Sequence, residues 1–190
     1  MKKIAIITAA LFFLATAAFA QTWSWDKAHS QLNWSISHLG ISSIAGTFNT
    51  VDAKITSSKD DFSDATVTLT ADVNSINTNN EQRNTHLKSP DFFDAAKYGT
   101  LTFTSTSFKK TGDKTFQVDG DLTFHGVTKH ITLNAVYNGT ITHPMSKKLV
   151  SGWSVTGAIK RADFGIGPKF PGQFLGDDVM LNAVAEFVKD

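Results

Sequence analysis

Residues 116–124 of the chain have the sequence FQVDGDLTF, in which apolar and polar side chains alternate. Phe116, Val118, Leu122 and Phe124 fall on one face of an extended chain, and the polar residues between them fall on the other. Because successive side chains of a β-strand point to opposite faces of a sheet, this pattern indicates a strand with one buried face. The segment therefore predicts an antiparallel sheet with a core on one side.

The same alternation recurs along most of the chain. It is found at residues 32–36, 65–73, 131–135, 153–159 and 179–187, and more weakly at residues 48–55 and 101–108. About eight strands joined mainly by short turns, such as residues 111–114, are typical of a β-sandwich or of a closed up-and-down barrel. We favour the barrel, because closure removes the exposed edges of a long sheet and the final run can pair back with the first strand.

One segment, residues 78–99, is too polar and too long for a tight turn between two strands. Thr78 and Glu81 have the spacing of a capping box, which predicts a short helix that ends near Lys88. Pro90 then stands where it favours the first turn of a second helical segment.

A second irregular segment, residues 164–178, contains four glycines, two prolines and three phenylalanines. Its composition suits neither a strand nor a helix. We expect both irregular segments to cover the same end of the barrel.

The first twenty residues have the features of a secretory signal peptide. Two lysines precede an apolar run over residues 4–17, and an A-x-A sequence follows at residues 18–20. Cleavage there would leave one domain, residues 21–190, and would change the formal net charge from +1 to −1. We expect the mature protein in the periplasm, with an extracellular location as the alternative, and we expect no transmembrane segment and no nucleic-acid partner.

The sequence contains no cysteine, which excludes a disulfide scaffold, a thiol nucleophile and a thiolate metal site. Asp26, His29 and Ser30 together resemble a catalytic triad, but neighbours on an extended chain point to opposite sides, so Ser30 does not easily meet His29. No pair among the six histidines has a metal-ligand spacing. We therefore expect neither catalysis nor a bound metal.

Aromatic residues are abundant after residue 20, with twelve Phe, four Trp and two Tyr. They would serve equally well in an ordinary core or in the wall of an apolar cavity, since an eight-stranded barrel has room for side chains or for one small ligand. Small residues on the same faces would leave space for a cavity, and both interpretations stay open at this point; these residues are Ala71, Gly120, Ala135, Gly157, Ala183 and Ala185.

Five segments in order resemble the YceI-like family of bacterial lipid-binding proteins. They are WSWDKAHSQLNWSISHLG (23–40), GTFN (46–49), SINTNNEQRNTHLKSPDFFDAAKYGTLTFTS (75–105), DGDLTFHGVTKHITL (119–133) and IKRADFGIG (159–167). Together they span nearly the whole chain after residue 20. Gly99 departs from the family, which usually has proline after the tyrosine, and we expect this to affect only the start of the next strand.

The resemblance implies a lipocalin-like, eight-stranded antiparallel up-and-down barrel with a short helical insertion. It also implies a long-chain lipid in the lumen, such as a polyisoprenoid or an isoprenoid quinone, with no other cofactor, bound for transport, storage or a stress response. Pairing of two barrels into a homodimer stays open. The ligand-binding residues that the resemblance implies are Ile36, His38, Phe48, Arg83, His86, Leu87, Phe92, Phe93, Phe103, Phe124, Arg161 and Phe164.

Three of these residues, Arg83, His86 and Arg161, are the candidates for contact with a lipid head group. The alternative is structural, with Arg161 pairing with Asp91 or Asp94 to hold the helical insertion on the barrel. Two other functions stay open at this point. One is an enzyme at the barrel mouth that acts on a lipid head group, and the other is a protein-interaction module without a ligand.

Overall fold

The structure, a computed structural model, describes residues 20–190, so the predicted signal peptide lies outside the described residues except for Ala20. The elements in chain order are β1 (Gln21–Trp25), β2 (Gln31–His38), β3 (Ser42–Phe48), β4 (Val51–Ser57), β5 (Thr66–Asp72), β6 (Ile76–Asn77), α1 (Glu81–Lys88), β7 (Thr100–Lys110), β8 (Thr115–Phe124), β9 (Val127–Thr142), β10 (Leu149–Lys160) and β11 (Leu175–Lys189). Two 3₁₀ turns, Val73–Ser75 and Arg161–Phe164, complete the list.

The strands form a closed antiparallel barrel, as predicted. β11 pairs with β10 on one edge, and on its other edge it pairs with β2 and then with β1. β3 pairs with β2, and β4 pairs with β1. On the far side, β6 pairs with β3, and β5 pairs with β4. The wall therefore has eight strands, three of which are each broken into two segments.

The alternation that predicted the strands also sets their orientation. In β11, Ala183, Ala185 and Phe187 are buried, while Asn182 and Val184, which alternate with them, are exposed. The apolar face of each strand points into the barrel, because only that arrangement removes it from water.

One end of the barrel is closed by an aromatic cluster around Phe62, which lies in the β4–β5 connection. The Phe62 ring is 2% exposed, and its centroid lies 5.4 Å from Trp23, 5.4 Å from Tyr137 and 5.1 Å from Trp153. Rings at these separations interlock edge to face or tilted, as aromatic clusters prefer. We call this group the aromatic plug.

The connection that carries Phe62 is held by Asp64. Its carboxylate accepts hydrogen bonds from the hydroxyl groups of Ser57 and Ser58, the first at 2.6 Å. These hydrogen bonds lower the pKa of Asp64 well below its ordinary value, because they stabilise the charged form. The connection therefore holds Phe62 in place most firmly when Asp64 is ionised.

The helical insertion lies at the opposite end, and it differs from the prediction at its start. The N-cap of α1 is Asn80, whose side chain accepts a hydrogen bond of 2.9 Å from the backbone N–H of Arg83. The predicted capping box of Thr78 and Glu81 was therefore wrong. The hydroxyl of Thr78 instead donates to buried Asn84 at 2.7 Å, which fixes the helix to the barrel.

The C-terminal end of α1 at Lys88 agrees with the prediction. The second helical segment at Pro90 was wrong, because residues 90–93 form turns that bring Phe92 and Phe93 inward. No helix in the described part of the chain is long and apolar enough to cross a membrane.

Candidate ligand-binding site

The barrel encloses a cavity of about 400 Å³ between the aromatic plug and the helical insertion. Its wall consists of the inward faces of the strands, so Val179, Leu181, Ala183, Ala185 and Phe187 of β11 all line it. A volume of this size falls within the range of small-molecule sites. The sequence left open whether the aromatic residues form an ordinary core or the wall of a cavity. The structure shows that they line a cavity and close one end of it.

The cavity opens at the end that carries the helical insertion. His86 and Phe174 are the exposed members of the lining, and Phe174 is 50% exposed. Phe92 and Phe170 stack at a centroid distance of 4.8 Å, and His86 lies edge-on to Phe92 at 4.9 Å. The two irregular segments therefore meet at one end of the barrel, as predicted, and form the mouth of the cavity.

Eleven of the twelve residues predicted to bind the ligand line the cavity. The exception is Phe164, which is 1% exposed and packs behind Phe124, with ring centroids 6.2 Å apart. Its backbone carbonyl contacts the ring of His125 at 2.9 Å. Phe164 thus supports the wall from outside the cavity, and contact of the other eleven residues with a ligand stays a prediction.

Arg161 has a different role from either of the two predicted ones. Its guanidinium group donates five hydrogen bonds of 2.6–3.1 Å to backbone carbonyls, and it is only 7% exposed. The acceptors are Ile166, Gly167, Phe170, Leu175 and Gly176.

Because a guanidinium group has five N–H donors, none is left for a head group. The predicted pair with Asp91 or Asp94 was wrong too, because all five N–H groups donate to backbone carbonyls, and Asp91 accepts instead from Lys169 at 2.7 Å. Arg161 therefore anchors the segment from residue 165 to residue 176, which we call the glycine loop.

The other two head-group candidates stay near the mouth. Arg83 donates from Nε to the hydroxyl of Thr78 at 2.8 Å and from Nη2 to the carbonyl of Thr78 at 2.7 Å. His86 Nε2 lies 4.0 Å from a carboxylate oxygen of Asp91. Both side chains are positioned to meet the polar end of an amphiphile, and that role stays a prediction.

Sequence reasoning missed several large residues of the lining. They include Trp25, Trp34, Ile44, Phe108, Trp153, Phe170 and Phe174. Trp34 and Trp153 could have been found, because each lies on the apolar face of an alternating run. Phe170 and Phe174 lie in the glycine loop, where no periodic pattern indicates which side chains point inward.

The three residues that together resembled a catalytic triad lie outside the cavity. His29 Nδ1 donates to Asp26 at 2.9 Å, and this hydrogen bond raises the pKa of His29 and lowers that of Asp26. Ser30 Oγ donates to the backbone carbonyl of Glu186 at 3.2 Å rather than to the imidazole. The trio is therefore not arranged as a triad, as expected.

Glu186 joins Asp26 and His29 in a group whose possible metal-ligating atoms lie within 4.8 Å of one another. Glu186 alternates with the inward residues Ala185 and Phe187, so the group lies on the outer surface of the barrel. Surface clusters of this kind are common, and this one is separate from the cavity.

Three comparisons relate the chain to known proteins. The family model described as YceI-like domain matches residues 23–187. The chain is 38% identical over 169 residues to UPF0312 protein SAS2572 of Staphylococcus aureus. This match covers 87% of this chain and 96% of that protein. It resembles the crystal structure of the Campylobacter jejuni YCEI protein with a TM-score of 0.71 and 31% identity, over 81% of this chain and 90% of that one.

A polyisoprenoid binding domain from Saccharophagus degradans has the same fold, with a TM-score of 0.62 over 88% of this chain and 98% of that one. Its sequence identity is 21%, so this similarity concerns the fold.

Proposed function

Because the chain belongs to the YceI-like family, we propose that it binds a long-chain amphiphile, a polyisoprenoid or a similar lipid such as an isoprenoid quinone, inside the barrel. The observation that carries this proposal is the chemistry of the lining. Apart from His38, Arg83, His86 and Arg161, every lining residue is aliphatic or aromatic. The Saccharophagus degradans domain of the same fold, which is described as polyisoprenoid binding, supports the same class of ligand.

An apolar wall of this kind can bind a hydrocarbon chain tightly without polar contacts. Removing each methylene from water contributes ~0.8 kcal/mol, so a chain of a dozen carbons would contribute about 10 kcal/mol before the cost of association. Selectivity would then depend on the length of the chain, which the aromatic plug limits, and on the polar groups near the mouth.

The same lining supports a binding protein over an enzyme. Among the described residues, those that line the cavity include no carboxylate, hydroxyl or amine that could act as a nucleophile or general base beside a histidine. We therefore propose a non-enzymatic role in transport, storage or stress response, in the periplasm after cleavage of the signal peptide.

Mass spectrometry of protein purified from a periplasmic extract tests both parts of the proposal. The intact mass should correspond to a chain that begins at Gln21, and extraction of the denatured protein with organic solvent should release a lipid in a stoichiometric amount. A protein that retains residues 1–20 would contradict export with cleavage, and an extract without lipid would contradict the ligand.

A pair of neighbouring substitutions on β11 locates the lipid. Ala183 lines the cavity and Asn182 is exposed on the outer face. Ala183→Trp fills the lumen, so it should shorten or exclude the extracted lipid, whereas Asn182→Trp should leave the lipid unchanged. Equal lipid content in both variants would show that the lipid is bound elsewhere.

A further inference from the structure

Three exposed apolar side chains lie together at the mouth of the cavity, and we call them the apolar rim. They are Leu39, Ile41 and Phe174, which are 48%, 86% and 50% exposed. Phe174 also lines the cavity, so the apolar rim is continuous with the lumen. Single exposed apolar residues are ordinary, but a group of them marks a surface that contacts another molecule or a membrane.

Two residues of the apolar rim lie at the tip of the β2–β3 hairpin. Leu39 and Gly40 are the central residues of a turn that is closed by a 3.2 Å hydrogen bond from the Ile41 N–H to the His38 carbonyl. Their φ angles of 54° and 68° lie in the left-handed region, where leucine is unfavourable and Asn-Gly is the usual pair. A Cβ atom built at Gly40 would meet no atom within 4 Å, so the tip lies in open space. The turn therefore holds an exposed apolar side chain where a polar residue would suit the backbone better.

The glycine loop holds the hairpin tip beside the mouth. The Leu39 N–H donates to the carbonyl of Phe174 at 2.9 Å, which joins the two segments of the apolar rim. Arg161 donates to the carbonyl of the next residue, Leu175, at 3.1 Å. The three apolar side chains are therefore fixed relative to one another and to the opening of the cavity.

The charges near the apolar rim indicate the kind of surface that it fits. Residues 39–51 contain no charged side chain, and the glycine loop contains only Lys169. Lys169 forms an ion pair of 2.7 Å with Asp91, so its charge is balanced. A neutral apolar tip suits a zwitterionic bilayer, because its binding depends on burial of apolar area and not on attraction to anionic lipids.

The size of the apolar rim also favours a membrane over a protein partner. In a standard protein interface each partner buries roughly 800 Å², which three partly exposed side chains cannot supply by themselves. Insertion into the interface of a bilayer requires no matching surface, and its strength grows with the apolar area buried.

We propose that the apolar rim docks the barrel on a zwitterionic phospholipid bilayer with the mouth towards the membrane, so that a lipid passes between the bilayer and the lumen without crossing water. The choice of a membrane as the partner rests on the proposed function, because transfer of a long-chain amphiphile through water is unfavourable. The inference adds the docking surface and the orientation of the barrel on it.

Co-sedimentation of the purified protein with phosphatidylcholine vesicles tests the inference. Ile41→Asp puts a charge at the tip and removes its most exposed apolar side chain, so it should weaken vesicle binding by about tenfold or more. Ile41→Trp keeps the tip apolar and should bind at least as tightly as the wild type, since tryptophan favours the membrane interface. Ile41 lies outside the cavity lining, so both variants should retain the lipid that solvent extraction releases.

Met145→Asp is the matched control for exposed apolar side chains in general. Met145 is 84% exposed and lies in the connection between β9 and β10, at the end of the barrel that the aromatic plug closes. This variant should bind vesicles as the wild type does. Unchanged binding by Ile41→Asp, or an equal loss in both aspartate variants, would overturn the inference.

Sedimentation equilibrium without vesicles separates a membrane from a second copy of the chain as the partner. The oligomeric state should be the same in the wild type and in Ile41→Asp, and a dimer that this substitution dissociates would overturn the inference.

Solvent extraction of the same preparations keeps the inference distinct from the proposed function. A protein that carries lipid but does not bind vesicles would overturn the docking surface alone. Vesicle binding that depends on Ile41, in a protein that carries no lipid, would support the docking surface and overturn the proposed function.

Discussion

Replacement of Arg161 tests whether the mouth of the cavity depends on one buried guanidinium group. Arg161→Met removes all five hydrogen bonds to the glycine loop and leaves an apolar side chain of similar length. Arg161→Lys keeps the charge, but an ammonium group has three donors and cannot reach five carbonyls arranged around a planar fork.

The magnitude follows from the number and burial of these bonds. A hydrogen bond from a charged donor contributes ~1.5–3 kcal/mol, but some of the carbonyls will be hydrated once the loop loosens, so the five bonds do not add fully. We expect Arg161→Met to lower the free energy of unfolding by about 3–5 kcal/mol and Arg161→Lys by about 2 kcal/mol.

Urea unfolding followed by tryptophan fluorescence measures the global loss, and hydrogen exchange of the loop amides measures local opening. Lys160→Met is the control, because Lys160 is the exposed neighbour of Arg161 and pairs with Asp178 at the surface. It should leave the unfolding midpoint unchanged.

Release of a bound lipid separates an anchoring role from a head-group role. If Arg161 anchors the glycine loop, Arg161→Met should accelerate the release of every ligand, including a hydrocarbon without a head group. If Arg161→Met has a free energy of unfolding within about 0.5 kcal/mol of the wild type, and hydrogen exchange in the glycine loop is unchanged, the anchoring role is refuted.

Three further substitutions test the aromatic plug, the wall of the cavity and the connection between β4 and β5. Phe62→Ala should lower the free energy of unfolding in urea by about 3–5 kcal/mol, since it empties the centre of the aromatic plug. A loss below 1 kcal/mol would show that the plug is loosely packed. Gly46 of β3 is opposite Trp34 of β2, and a methyl group at Gly46 would lie 2.5 Å from Cζ2 of the Trp34 ring. Gly46→Ala should therefore lower the free energy of unfolding by about 1–3 kcal/mol, and by less in a Trp34→Leu background; additive losses would contradict that contact. The carboxyl pKa of Asp64 is lowered in the folded state, so its stabilisation is present above the ordinary pKa of 3.8 and is lost as the pH falls below it. Asp64→Asn should therefore lower the melting temperature at pH 7 and have a shrinking effect below pH 3.8, whereas a constant difference would contradict the role of the charge.

The barrel wall could be predicted from the sequence because the signal is local. Alternation with a period of two reports directly on which side chains face the core, and it was read correctly in segments such as residues 116–124 and 179–187. The breaks between β1 and β2 and between β3 and β4 were not predicted. The first break arises because β1 and β2 are two short segments that pair with one long strand, β11, and the second follows because β3 and β4 pair with β2 and β1. An alternating pattern contains no information about its partner strand.

The mouth was harder to predict because its contacts are with the backbone. Arg161 was identified, but its acceptors are carbonyl groups, which no pattern of side chains reveals. Phe164 continues the motif that contains Arg161, yet it lies in a 3₁₀ turn, where the alternation of a strand no longer applies. At the start of α1, Thr78 was predicted to cap the helix, but its hydroxyl donates to the buried side chain of Asn84, and Asn80 is the cap.

The pairing of β11 with both β1 and β2 has a consequence for the order of folding. The residues that close the barrel are far apart in the chain, since Trp25 pairs with Phe187 and Ile36 pairs with Val179. Bringing such distant segments together has a high entropic cost, and folds with many distant contacts form slowly, in milliseconds to seconds. β11 also follows every other strand in the chain, so neither edge of the sheet can be sealed until its residues have been synthesised. The cavity therefore comes into existence at a late step, and a lipid is either enclosed while β11 docks or must pass through the finished mouth.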